Sequence, residues 1–142
     1  MSAASGTIFL LKRAELAVRG CVEKSLLQAG LTPTQFHVLL LLERNPGISA
    51  AQVARSVGIR PQSVNDSLGP LERKGLLLRR PSAAHRRVLE IRLSAAGLRL
   101  LARTLPVVSR LEDELLAGFP DPALKTLQDT LERVRATAEA RS

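Results

Sequence analysis

At 142 residues, with 45% of positions apolar, the chain can build one domain around one core and is not a disordered tail. Aromatic residues make up only 2%, three Phe with no Trp or Tyr, which argues against a surface that stacks single-stranded bases on exposed rings. The net charge of +8, from 21 Lys and Arg against 13 Asp and Glu, favours a polyanionic partner, and duplex grooves and phosphates are the targets left.

The longest apolar run, Val38 to Leu42, falls far short of the ~20 residues that a membrane span needs, so no membrane partner is expected. Ile8 to Leu11 precede Lys12 and Arg13, the reverse of the charge order in a secretory signal. The single cysteine, Cys21, leaves no internal disulfide and fits a reducing compartment. A soluble, cytoplasmic chain forming a single domain over 1–142 is the expectation.

The first helix is predicted from Thr7, as N-cap, to about Gln28, with Leu11, Ala14, Val18, Cys21, Val22 and Leu26 at helical spacing and Gly30 as left-handed cap. The second opens at Thr32 with Pro33 at its first position and stops at Asn45-Pro46-Gly47. A short third helix takes Ser49 as N-cap with Gln52 in capping-box spacing, and Gly58 ends it. The fourth begins at Arg60-Pro61-Gln62-Ser63 and reaches Lys74, ahead of Gly75. Two helices joined through a glycine turn are a helix-turn-helix signature.

The hydrophobic period then changes. Leu76 to Arg80 and Arg87 to Leu93 read as strands, the second alternating Leu89, Ile91 and Leu93 with Glu90 and Arg92. Pro81 to Arg86 form a loop too long for a tight turn, so the pair is a hairpin with an extended basic tip, a wing. Ser94 caps a fifth helix carrying Leu98, Leu101, Leu105, Val108, Leu111 and Leu115, which Pro106 should kink. Asp121-Pro122 opens the last helix, where Leu124, Leu127, Leu131, Val134 and Ala138 form a narrow stripe of the kind that packs on another helix. The expected fold is therefore mainly α with a small β-hairpin wing. Residues 31–93 form the winged helix-turn-helix, and 7–30 with 94–140 form a helical part that pairs two copies of the chain.

Between Glu72 and Arg92 seven Lys or Arg oppose two acids, more than half of the net charge. A charge run alone is usually a solvated face; here it coincides with a hairpin that follows a helix-turn-helix. Arg86 and Arg87 at the tip suit the minor groove, where the potential of a narrow groove is enhanced. Gln62, Ser63 and Asn65 at the start of the fourth helix suit base edges in the major groove. Arg60, Arg73 and Arg79 complete the basic candidates for duplex contact.

The stretches LTPTQFHVLLLLERNPG, ISAAQVARSVGIRPQSV, LERKGLLLRR and RRVLEIRLSAAG resemble the MarR family of bacterial winged-helix regulators over about Leu31 to Gly97. The resemblance implies an obligate dimer, a pseudo-palindromic operator and, in many members, a small ligand that weakens DNA binding. It implies that Gln62, Ser63 and Asn65 read the major groove, that Arg87 enters the minor groove beside Arg86, and that Ser49 and Gln52 meet the phosphate backbone. Three departures stand out: Ser82 and His85 where many members carry acids in the wing, Asp66 where a basic residue is common, and Gly69-Pro70 interrupting the recognition helix.

Little else carries chemistry. His37, His85 and Cys21 lack metal-ligand spacing, and neither a phosphate-binding glycine loop nor a nucleophile with a base is present, so neither catalysis nor a cofactor or metal is expected. His37, Lys12 and Arg13 are the candidates for holding an anionic effector, against the commoner solvated or packed role. Cys21 reads as a packed small hydrophobe, since no Tyr or second Cys supports redox sensing. The leading reading is a homodimeric DNA-binding repressor released by a small anionic or phenolic compound. Two alternatives stay open: a dimeric sensor or interaction module whose winged helix has lost its operator, and a nonspecific nucleic-acid coat.

Overall fold

Two capping boxes set the helix starts. Ser49 Oγ accepts from the Gln52 amide at 3.2 Å while Gln52 Oε1 accepts from the Ser49 amide at 3.0 Å. Thr32 and Gln35 repeat the exchange at 3.1 and 3.0 Å. Each exchange satisfies two backbone donors that a helix start leaves orphaned. Gly58 ends the Ser49 helix at φ 70°, a left-handed conformation that costs a residue without Cβ nothing.

The computed structural model describes residues 3–141 and places these starts in a mainly helical chain with one small antiparallel sheet. In order the elements are α1 (Ala3–Leu26), α2 (Pro33–Arg44), β1 (Ile48–Ser49), α3 (Ala50–Val57), α4 (Val64–Arg73), β2 (Leu77–Pro81), β3 (Leu89–Leu93), α5 (Ala95–Leu116) and α6 (Asp121–Glu139). Contacts divide the chain into two units, one reaching Val108 and the other starting at Ser109.

In the first unit the core gathers Leu39 and Leu42 of α2, Val53 of α3, Leu68 and Leu71 of α4, Leu77 of β2 and Ile91 of β3, all almost wholly buried. Leu26 of α1 and Leu101 of α5 close it. The sheet runs β1-β3-β2, with Ile48 opposite Ile91 and Leu77 opposite Leu93. Helices α3 and α4 are thus tied to the hairpin through shared apolar side chains, and this is the winged helix-turn-helix.

Several boundaries differ from the sequence expectation. Helix α1 is already formed at Ala3, so Thr7 lies inside it rather than capping it, and it closes at Leu26 through turns ending at Gly30, φ 68°. The fourth helix starts as a 3₁₀ turn, Pro61–Ser63, before α4 proper. Gly69-Pro70 does not interrupt α4, which continues to Arg73. The proline removes the one N–H that would bond the Asp66 carbonyl, and Asp66 is exposed, so the loss falls on the outer side of the helix. Helix α5 likewise runs through Pro106. Strand β1 escaped notice because two residues carry no period. Helix α6 takes Pro120, not Asp121, as its N-cap, leaving Asp121 in the first turn, where the helix dipole favours an acid.

The second unit holds the end of α5 and all of α6. It carries the ion pair Lys125–Asp129 at 2.8 Å and Arg135 between Glu132 and Glu139. The hydrogen bond and charge of Arg135 hold the Glu132 carboxyl below the usual carboxylate range. Both units leave large apolar side chains exposed: Ile8, Phe9 and Leu10 on α1 in the first, Leu127, Leu131 and Val134 on α6 in the second.

Candidate nucleic-acid interface

The wing is shaped by a serine. Ser82 is nearly buried, its amide donates to the Val88 carbonyl at 2.8 Å, and its Oγ accepts from the amides of Ala84 and His85 at 3.2 and 3.3 Å. A hydroxyl thereby satisfies backbone donors that the turn would otherwise leave open. It closes the loop without the acids whose absence the sequence flagged, and His85, Arg86 and Arg87 beside it are exposed. Ser82→Ala should loosen this tip. The expected result is an affinity for DNA about fivefold weaker, the size of one net hydrogen bond, with an unchanged salt slope in a two-salt binding titration.

The seven basic residues of the strip separate into two groups. Lys74 Nζ donates to the Gly30 carbonyl at 3.2 Å, and Arg92 lies 3.7 Å from Glu90. Arg79 is turned inward with its side chain 17% exposed: Nε sits 2.6 Å from a Glu72 carboxylate oxygen, off the line of a hydrogen bond, and another guanidinium nitrogen donates to Asn65 Oδ1 at 2.9 Å. Arg73, Arg80, Arg86 and Arg87 are exposed and have no acidic partner among the described residues. Their charge is free for a polyanion.

Around the first turns of α3 and α4 lie the other candidates. Arg60 and Gln62 are exposed, Ser63 is half-buried, and Asn65 is exposed on the first turn of α4. Ser49 and Gln52 are engaged in their capping box, and Gln52 keeps an exposed side chain. Asp66 shares the first turn of α4, where the helix dipole favours a negative charge. Sequence reading missed that Arg79 and Asn65 touch, because they lie on different elements.

His37 lines an open groove of about 500 Å³ with Glu15, Arg19, Thr34 and Ile59, and Lys12 and Arg13 are exposed on the same helix α1 as Glu15 and Arg19. A second cavity, about 410 Å³, lies between the end of α1 and the first half of α5, with Gln28, Arg103 and Thr104 on its wall. Nothing in the residue pattern pointed to Arg103. Among the described residues no group of three His, Cys, Asp or Glu could hold a metal, and no helix is long and apolar enough to cross a membrane.

A capped two-helix unit, a three-stranded sheet and a basic ordered hairpin define a winged-helix protein of the DNA-binding kind. Residues 29–88 match the model of the MarR family. The chain is 32% identical to the HTH-type transcriptional repressor Rv2887 of Mycobacterium tuberculosis, over 89% of its own length and 91% of the relative's. It superimposes on the transcriptional repressor CouR bound to a 23-mer DNA duplex with a TM-score of 0.84 at 34% identity, covering 89% of this chain and 90% of that one. CouR from Rhodococcus jostii bound to p-coumaroyl-CoA gives 0.86 at 27% identity, covering 94% of both. The chain belongs to the MarR family, whose members are transcriptional regulators and not enzymes.

Proposed function

We propose that this protein represses transcription by occupying a pseudo-palindromic duplex as a homodimer, and that a small anionic or phenolic ligand releases it. As a MarR-family member it is a DNA-binding regulator, and such regulators act as dimers. The observation that carries the mechanism is the wing: a tip closed by Ser82 hydrogen bonds that leaves Arg86 and Arg87 exposed and without an acidic partner among the described residues, on the same unit as the exposed start of α4.

In this reading residues 31–93 are the DNA-binding part, and 7–30 with 94–140 are the dimerisation part. Gln62, Ser63 and Asn65 meet base edges in the major groove, and Arg87 with Arg86 enters the minor groove. Ser49, Gln52, Arg60 and Arg73 lie along the phosphates, which fix register without reading sequence. The exposed apolar residues of α1 and α6 are covered by the second copy. The ligand acts from the His37 groove or the Arg103 cavity, with Lys12 and Arg13 supplying positive charge nearby on α1. Relatives of this chain have been solved on DNA and with p-coumaroyl-CoA, a ligand both phenolic and anionic. The protein acts in the cytoplasm.

Selection from a random duplex pool tests this. The expected product is an inverted repeat with half-sites about one helical turn apart. A pool that remains random after selection would contradict it and leave a nonspecific coat or a lost operator.

A further inference from the structure

Resting on the reading of α4 as the base-reading helix, we propose that Arg79 is a positioning residue that makes Asn65 select guanine rather than adenine. The guanidinium has five donors and no acceptor, so the atom it touches on Asn65 must be the carbonyl oxygen. That contact, 2.9 Å long, fixes which end of the amide faces which way. The oxygen is directed at a side chain only 17% exposed, itself held 2.6 Å from the Glu72 carboxylate, and the NH₂ is the end left over.

An asparagine free to turn reads adenine with both ends, donating to N7 and accepting from the N6 amine. Here the accepting end already takes a hydrogen bond from a guanidinium N–H. Its remaining lone pair is poorly placed for an amine, because the guanidinium repels the amine hydrogens of adenine and cytosine alike. Guanine offers two acceptors, N7 and O6, to the NH₂ donors that remain. Glu72 contributes by holding the guanidinium in place, so the clamp spans α4 and β2.

The test uses the full-length protein and single-base variants of the operator that it selects. The position read by Asn65 is the one at which Asn65→Ala erases the preference. There the wild-type protein should favour guanine over adenine about tenfold, and Arg79→Met should move the preference to adenine while leaving the other positions unchanged. Asn65→Asp, which keeps the contact with Arg79 but has no donor, should lose guanine, and it reports even where Arg79→Met folds poorly. A wild-type preference for adenine at that position overturns the proposal. So does an Arg79→Met protein weakened equally on every sequence, which would make Arg79 a phosphate contact or a structural group. So does an Asn65→Ala protein with unchanged preferences everywhere, and in all three cases the operator reading survives. A wild-type protein that binds all duplexes alike overturns both.

Discussion

Gly97→Ala is expected to destabilise the protein by about 3 kcal/mol, at the upper end of the usual cost of overpacking a core. A Cβ built on Gly97 lies 2.1 Å from the Leu76 carbonyl oxygen and 3.1 Å from a Leu93 methyl. The carbonyl cannot yield easily, because it accepts from the Ser94 amide at 3.1 Å. Ser94 Oγ in turn accepts from the Gly97 amide at 3.0 Å and donates to the Gly75 carbonyl. One methyl group therefore strains the junction of α4, β2 and α5, on which the hairpin is seated. Urea or thermal unfolding reads the effect as a transition lower by roughly 10 °C for a chain of this size. An unchanged transition would mean that α5 does not pack against Leu76 as described.

The second large effect is on binding. Removing both wing arginines, Arg86→Ala with Arg87→Ala, should weaken operator binding about a hundredfold at moderate salt. Each arginine is exposed and has no acidic partner among the described residues, so no ion pair described is lost with it. A homodimer presents two wings, so four charges leave the interface together. The slope of log affinity against log salt should flatten by about 3.6, from a slope of about 0.9 for each phosphate neutralised. The thermal transition should not move. A lower affinity with an unchanged slope would place these arginines outside the phosphate field. An altered transition would show that the wing tip serves stability instead.

How much of this was legible in the sequence depended on the range of each interaction. The caps were readable because the partners lie three residues apart: Ser49 with Gln52 was expected and found. Thr32 was also expected, although its exchange with Gln35 went unremarked. The left-handed cap at Gly30 was expected, and Gly58 and Gly75, expected as helix stops, also have positive φ. Strand β3 was legible from alternation, but its register was not. Leu89 is 41% exposed although it continues the apolar alternation that Ile91 anchors.

What sequence could not supply was contact between elements. Strand β1 exists only because Ile48 pairs with Ile91, across more than 40 positions. The sequence grouped Arg79 with the basic candidates for duplex contact and could not show that it lies against Glu72 and donates to Asn65. Ser82 looked like a missing acid and proved to be the group that closes the wing. Pro70 looked like a helix breaker, yet α4 tolerates it near its end, where a single backbone bond is lost. The early start of α1 was missed because Thr7, a residue type favoured at N-caps, lies inside the helix here.

The central claim is that an ordered basic wing and the start of α4 together read one duplex sequence. The most direct measurement is fluorescence-anisotropy binding to the DNA upstream of this protein's own gene, at two salt concentrations with scrambled duplex as competitor. The account predicts tight binding that falls steeply with salt and is displaced far less readily by scrambled DNA than by the upstream sequence itself. Equal displacement by the two competitors, or no binding at the lower salt, would contradict it.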